Sequence, residues 1–134
     1  SVLDDYQRKG YIVYHGKVDD VRKYYEIAHA IVHPTFHEGM SNVLLEAASS
    51  GRPLIASNIP GCVEIIDEGV NGFTFDVKNQ LSLNAVIDKF INLSYEEKKQ
   101  MGLKARDKVT TEFDRKKLVN IYMDVIKNIM EDKQ

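Results

Sequence analysis

The chain has 134 residues, the size of one domain, and 43% of them are hydrophobic and 28% charged, as in ordinary soluble globular domains. Its formal net charge of −2 argues against nucleic-acid binding through a broadly basic surface. Within these residues no apolar run approaches the roughly 18 that a membrane span requires, no secretory signal is visible, and the single cysteine, Cys62, excludes an internal disulfide.

Strand and helix patterns alternate along the first part of the chain. Three short apolar runs predict strands over residues 11–14, 30–33 and 52–57. Between them the sequence predicts a helix over residues 21–28, with Asp19 and Asp20 as candidate N-caps, and a helix over residues 42–50 that Gly51 ends.

The second part of the chain begins with turns and becomes helical. We expect a short helix over residues 62–67, with Cys62 as a packing residue, and a fourth strand over residues 72–76. Three- and four-residue apolar spacing then predicts a helix from Leu81. The Ser94 to Glu97 capping box predicts another, and a last helix is expected to begin at Asp114.

Four short apolar strands that alternate with helices indicate an α/β domain with a Rossmann-like parallel sheet flanked by helices. Ligands of such sheets bind at the carboxyl ends of the strands. Three segments rich in small residues fall there, at residues 16–18, 38–41 and 57–61. We expect them to line one crevice.

Glu38 and Glu46 stand eight positions apart, on either side of the loop before the second predicted helix. Unpaired N–H groups at a helix start can hold a diphosphate, and a carboxylate can accept hydrogen bonds from vicinal hydroxyls. A nucleotide-sugar offers both groups. The spacing alone also fits a simpler interpretation, in which Glu46 stabilises its own helix dipole and Glu38 is an ordinary loop residue.

The histidines leave two interpretations open. His33 and His37 flank the loop, where each can contact a sugar hydroxyl or be only a packed or solvated residue. The same choice applies to His15, whose ligand contact would be with the base. His29 is expected to end a helix, where its charge would favour the dipole. No metal-ligand spacing is present, so the sequence predicts no metal site.

Four segments in order resemble the donor-binding half of retaining, family 4 type glycosyltransferases (glycosyl transferases group 1), which have the B-type fold. They are residues 14–18, 33–47, 51–61 and 69–73. The resemblance implies transfer of a sugar from a nucleotide-sugar, such as a UDP-sugar, to a glycan or lipid-linked acceptor. Retention of configuration, no metal or other cofactor, and a role in polysaccharide or surface-glycan synthesis are implied with it.

The resemblance also assigns roles to residues of the loop and its surroundings. Glu38 takes the catalytic position against the transferred sugar, and Glu46 binds the donor ribose. The main chain of the loop contacts the sugar and diphosphate, at Gly39, Met40 and Ser41, and the donor-binding residues Asn42 and Val43 lie close behind. Lys17 and Val18 would lie against the nucleobase.

Two family features are not seen in residues 1–134: the first two strands of the donor domain with their basic pair, and the N-terminal acceptor domain. We therefore expect part of a C-terminal donor domain that is inactive alone. The apolar stripe of the last helix, with Tyr122 and Met123, would be exposed or would bury a second copy. A cytoplasmic location is expected, and peripheral association with the inner face of the membrane is a further possibility. A non-catalytic nucleotide-sugar binding module and a sugar-nucleotide epimerase stay open as alternatives.

Overall fold

The computed structural model describes residues 2–113, 123 and 126–131, and it has the predicted α/β architecture. Within them the sheet is parallel and three-stranded, in the order β1-β2-β3. The elements in chain order are α1 Val2–Arg8, α2 Arg22–Ile27, β1 Ile31–His33, α3 Asn42–Ser49, β2 Leu54–Ser57, β3 Gly72–Phe75, α4 Gln80–Ile91 and α5 Tyr95–Glu112.

The central strand β2 is buried along its whole length, because helices cover both faces of the sheet. Leu54 and Ala56 belong to one apolar cluster, which includes residues of α3 and α5. Ile55 points to the opposite face and packs with Phe73 and with Phe90 of α4. Coverage of both faces explains why the strands read as continuous apolar runs rather than alternating ones.

Two glycines let α3 and α5 pack closely. Gly51 ends α3 with φ +74°, the left-handed conformation that glycine adopts without strain. Gly102, in the first half of α5, lies against the carbonyl group of Gly51, so that a Cβ on Gly102 would collide with that carbonyl. This contact sets the distance between the two helices on one face of the sheet.

Side-chain caps fix the starts of the helices that follow the strands. The predicted capping box is confirmed: the Ser94 hydroxyl accepts from the Glu97 N–H, and the Glu97 carboxylate accepts from the Ser94 N–H, at 3.1 Å each. Asn79 caps α4 by accepting from the Ser82 N–H at 3.0 Å. The sequence did not identify this second cap, and α4 begins one residue earlier than predicted.

The strand predicted over residues 11–14 is wrong. Two of its main-chain N–H groups bond to α1 instead of a neighbouring strand: Tyr11 donates to the Tyr6 carbonyl at 3.0 Å, and Tyr14 donates to Gln7 Oε1 at 2.8 Å. The side chain of Val13 is 73% exposed. Among the described residues, the apolar run therefore neither pairs with a strand nor packs into the hydrophobic core. Helix α1 itself was not predicted, and it buries none of its residues.

The short helix predicted over residues 62–67 is also wrong, because this stretch forms successive turns. The side chain of Asn71 hydrogen-bonds to the end of this stretch. Its side-chain amide, almost fully buried, accepts from the Asp67 N–H at 2.8 Å and donates to the Ile65 carbonyl at 3.0 Å. Cys62 is fully buried in the core as a packing residue, and burial, with Glu38 and Glu64 nearby, raises the pKa of its thiol.

The predictions for the last helix and its apolar stripe fall largely outside the described residues. The start of the predicted last helix at Asp114, and Tyr122 on it, lie outside them. Met123 lies inside and is 59% exposed. None of the described helices is both long enough and apolar enough to cross a membrane.

Replacing Gly102 with alanine tests the close contact between α3 and α5. In most helix interiors this change stabilises a protein by about 1 kcal/mol. Here the new Cβ meets the Gly51 carbonyl, so we expect the free energy of unfolding to fall by about 1–3 kcal/mol in urea denaturation. Lys104→Ala, at an exposed position of the same helix, should stay within about 0.5 kcal/mol. A more stable Gly102→Ala protein would contradict the packing.

Candidate functional site

The loop between β1 and α3, residues 34–41, carries Glu38 at the carboxyl edge of the sheet, and Glu46 follows in the second turn of α3. Ser41 ends this loop and caps α3: its fully buried hydroxyl accepts from the Leu44 N–H at 3.2 Å. The Ser41 N–H in turn donates to the Gly61 carbonyl at 3.2 Å. The helix therefore begins at Asn42, as predicted, with Glu38 before its start and Glu46 within it.

Gly61, in the turn after β2, packs directly against the main chain of residues 34–41, called here the glutamate loop. Its φ is +93°, and a Cβ at this position would collide with the Gly39 carbonyl and lie only 2.9 Å from the Glu38 carbonyl oxygen. Only glycine provides both the backbone angle and the space. The end of β2 thus fixes the main chain of the loop that follows β1.

Glu38 is half-buried, and residues from the end of β1 surround its carboxylate. The Thr35 hydroxyl donates to Glu38 Oε2 at 3.3 Å. His33 Nε2 lies 3.5 Å from Glu38 Oε1, yet this buried nitrogen has no hydrogen-bond partner among the described residues. Because the Thr35 N–H donates to the Ser57 hydroxyl at 2.9 Å, strand β2 also supports this arrangement.

Glu46 is exposed and contacts helix α2. The hydroxyl of Tyr25 donates to Glu46 Oε2 at the long distance of 3.5 Å. Burial raises the pKa of the Tyr25 phenol, and the charge of Glu46 raises it further. Arg22 lies close enough that Glu46 adds to the rise in its pKa, whose main cause is the hydrogen bond to Asp20. That pairing lowers the pKa of Asp20 to about 2.

The remaining loop residues differ in what they can offer to a ligand. Within the described residues no hydrogen bond occupies the main-chain N–H of Gly39 or Met40, and the Met40 side chain is 45% exposed. Asn42 is exposed and Val43 half-buried. Ser41 differs from them because both its polar groups are already hydrogen-bonded. Its hydroxyl accepts from the Leu44 N–H, and its N–H donates to the Gly61 carbonyl.

Among the described residues, no hydrogen bond, ion pair or ring contact joins Lys17 or Val18 to the loop between β1 and α3. Lys17 is exposed and Val18 half-buried, in the non-strand segment before α2. The structure brings this segment to α2 through the His15 ring, which lies 4.2 Å from the Tyr24 ring between centroids. Tyr24 precedes Tyr25, the partner of Glu46, so this segment and α3 both contact α2.

The histidines fall into different settings. His33 is beside Glu38, as described, and His15 packs on Tyr24. His37 is exposed, and its carbonyl lies 3.2 Å from the Thr35 hydroxyl, whose single proton it shares with Glu38. His29 is exposed just after α2 ends. No three His, Cys, Asp or Glu side chains in the described part of the chain cluster as metal ligands would.

Three residues that shape the site were not singled out from the sequence. Tyr25 and Thr35 each donate to one of the glutamates, but nothing in their local spacing indicates a partner. Gly61 was expected only as a turn residue. The one signal available was its position in the turn after a strand that ends at the same edge.

The family model for glycosyl transferases group 1 matches residues 4–108. A curated relative, N-acetyl-alpha-D-glucosaminyl L-malate synthase of Bacillus anthracis, is 28% identical over 123 residues, which are 90% of this chain and 32% of that protein.

Two solved structures share the fold at 19% identity each. Sucrose-phosphate synthase from Thermosynechococcus elongatus has a TM-score of 0.88, over 98% of this chain and 33% of that one. Anabaena HepE in complex with UDP-glucose has a TM-score of 0.78, over 97% and 36%. The chain thus spans about a third of the length of each of these three proteins. Because the family model covers most of its residues, the chain belongs to the glycosyl transferases group 1 family.

Proposed function

We propose that residues 1–134 form the donor-binding part of a retaining glycosyltransferase and bind a nucleotide-sugar at the carboxyl edge of the sheet. The observation that carries the proposal is the pair of carboxylates on opposite sides of one small-residue loop. Each has a hydroxyl partner: Thr35 of the same loop for Glu38, and Tyr25 of α2 for Glu46. The solved complex of Anabaena HepE with UDP-glucose supports a ligand of this class.

Glu46 binds the ribose in this proposal. Its carboxylate is exposed, and among the described residues its one hydrogen-bond donor is the Tyr25 hydroxyl, at the long distance of 3.5 Å. Most of its acceptor capacity is therefore free for the two hydroxyls of a ribose diol. Asn42 and Val43, one turn earlier in α3, lie beside the same ligand. Lys17 and Val18 would approach the base from the other side of α2.

Glu38 contacts the transferred sugar, and the loop between the glutamates holds the diphosphate. The unoccupied N–H groups of Gly39 and Met40, next to the start of α3, suit an anion. A carboxylate would repel that diphosphate, which favours a sugar hydroxyl as the partner of Glu38. Donor binding without a metal is part of the proposal.

The acceptor and the cation for the leaving group belong to the rest of the enzyme. Transfer requires an acceptor hydroxyl held against the anomeric carbon and positive charge at the departing diphosphate. We place both in parts of the parent protein beyond this partial C-terminal domain. The acceptor would be a glycan or a lipid-linked acceptor used in polysaccharide assembly, and the enzyme would act in the cytoplasm or at the inner face of the membrane.

A dimer through the last helix stays a prediction. Family membership favours transfer over the epimerase alternative.

Replacing Glu46 with glutamine should weaken every donor with a ribose. Loss of charged hydrogen bonds costs about 1.5–3 kcal/mol, which is roughly 10- to 100-fold in affinity. Calorimetric titration with UDP, UDP-glucose, GDP and GDP-mannose measures it. Glu112→Gln, at an exposed position at the end of α5, is the matched control and should bind as the wild type does. Unchanged binding in Glu46→Gln would remove the ribose role.

Replacing Glu38 with glutamine should distinguish the sugar from the nucleotide. Affinity for UDP-glucose should fall by about tenfold or more, while affinity for free UDP should change by less than about twofold, since free UDP has no sugar at Glu38. The same titrations measure both. Equal losses for free UDP in the Glu38 and Glu46 variants would contradict this division of roles.

A transfer assay tests whether the chain is sufficient for catalysis. We expect the 134-residue protein to release no UDP from UDP-glucose above the uncatalysed level, with or without sugar acceptors, although it binds the donor. Rapid turnover by the chain alone would show that the acceptor and leaving-group machinery lies within it. Absence of donor binding together with absence of turnover would favour an interaction module.

A further inference from the structure

His33 is the last residue of β1, and its imidazole lies beside the carboxylate that we assign to the transferred sugar. Parallel pairing sets His33 opposite Ala56 of the buried strand β2, so the ladder fixes its main chain. The side chains of His33 and Glu38 are 21% and 22% exposed. The imidazole therefore starts from a rigid strand end and meets Glu38 in a half-buried setting.

The Nε2 nitrogen of His33 is buried without a partner. It has no contact with solvent and no hydrogen bond among the described residues. Glu38 Oε1 lies 3.5 Å away, just beyond the roughly 2.7–3.2 Å of an N–H···O hydrogen bond. Because an unpaired buried polar atom is costly, closing this short gap would stabilise the pair.

The charge of Glu38 decides which form of the imidazole fits here. A neutral imidazole carries its proton on either Nε2 or Nδ1. With the proton on Nδ1 alone, the Nε2 lone pair would face a carboxylate oxygen, and two acceptors repel one another. The other neutral form and the imidazolium both have a proton on Nε2. Either of them directs an N–H group at Glu38.

This N–H group supplies a tether that Thr35 alone does not provide. The Thr35 hydroxyl lies 3.3 Å from Glu38 Oε2, but it shares its single proton with the His37 carbonyl at 3.2 Å. A donor on Oε1 as well would fix the plane of the carboxylate. Since a carboxylate has about four lone-pair sites, acceptor capacity remains for a sugar hydroxyl.

We propose that His33 is a positioning residue for the donor sugar: its Nε2–H bonds to Glu38 Oε1 and orients the carboxylate. The inference rests on the proposed function, since Glu38 must contact the transferred sugar. Because Nε2 is closed to solvent, this atom acts through Glu38 and does not touch the ligand. A nucleotide without a sugar gains nothing from the arrangement.

The protonation of the His33 ring tests the contact in the unmutated protein. Two-bond 1H–15N spectra of the 134-residue chain, labelled with 15N-histidine, distinguish a protonated ring nitrogen from an unprotonated one. The chain has four histidines, and the signals lost in a His33→Gln variant assign this one. At pH 8 we expect a protonated Nε2, whose chemical shift moves more with UDP-glucose than with free UDP.

Calorimetric titrations of variants test whether His33 acts through Glu38. His33→Phe keeps a ring but removes the donor, so affinity for UDP-glucose should fall roughly threefold to tenfold, the effect of one hydrogen bond. Affinity for free UDP should not change. His33→Gln restores an N–H donor and should bind as the wild type does. His29→Phe, the same change at an exposed position after α2, is the matched control and should leave both affinities unchanged.

A double variant separates positioning from a general structural effect. In a Glu38→Ala protein, adding His33→Phe should cause no further loss of UDP-glucose affinity, because the carboxylate that His33 orients is gone. An equal loss with and without Glu38 would mean that His33 acts independently of it. Urea denaturation checks that the His33→Phe protein is folded, and the ring spectrum decides the contact even where it is not.

Three results would overturn the inference and leave the donor site standing: an unprotonated Nε2, unchanged UDP-glucose affinity in folded His33→Phe, or equal losses in the two Glu38 backgrounds. Amide shifts over residues 38–46 report donor binding itself. Silence there with UDP-glucose would count against the proposed function, and the role of His33 toward the sugar would fall with it.

Discussion

The contact between Gly61 and the Gly39 carbonyl is the constraint on which the site depends. A loop between a strand and a helix would ordinarily be free to move over the sheet edge. Here the turn after β2 lies so close that no side chain fits between the two main chains. The Ser41 N–H adds a hydrogen bond to the Gly61 carbonyl. The positions of both glutamates therefore depend on a neighbouring strand as well as on their own loop.

The two carboxylates differ in environment although they belong to one motif. Glu38 is half-buried, beside His33 and bonded to Thr35, which suits a group that must meet one part of the donor in a fixed orientation. Glu46 is exposed and only weakly tethered to Tyr25, which leaves it free to accept two hydroxyls. Division of the proposed roles between sugar and ribose follows from this difference.

Much of the fold could be predicted because local signals are strong. The Ser94 to Glu97 box, Gly51 after α3 and the apolar runs of β2 and β3 each determine structure within a few residues. The run at residues 11–14 has the same local signal as a strand, but its N–H groups bond to α1, and no local pattern shows which partner is present. The helix prediction over residues 62–67 was wrong for a similar reason. The Asn71 side chain that bonds to the Asp67 N–H lies outside that stretch, so the local pattern does not show it.

The site was predictable in part for the same physical reason. Glu38 and Glu46 stand out through their spacing and their neighbours in sequence. The hydroxyl donors Tyr25 and Thr35 act through contacts that exist only after folding, as does the close approach of Gly61.

The most direct test of donor binding at this loop is a map of amide chemical-shift changes in the 134-residue protein with saturating UDP-glucose. The largest changes should fall over residues 38–46, with smaller ones at Lys17 and Tyr25. The exposed residues of α5 should show none. Changes confined to other surfaces, or none at all over residues 38–46, would contradict the assignment of the glutamate loop as the donor site.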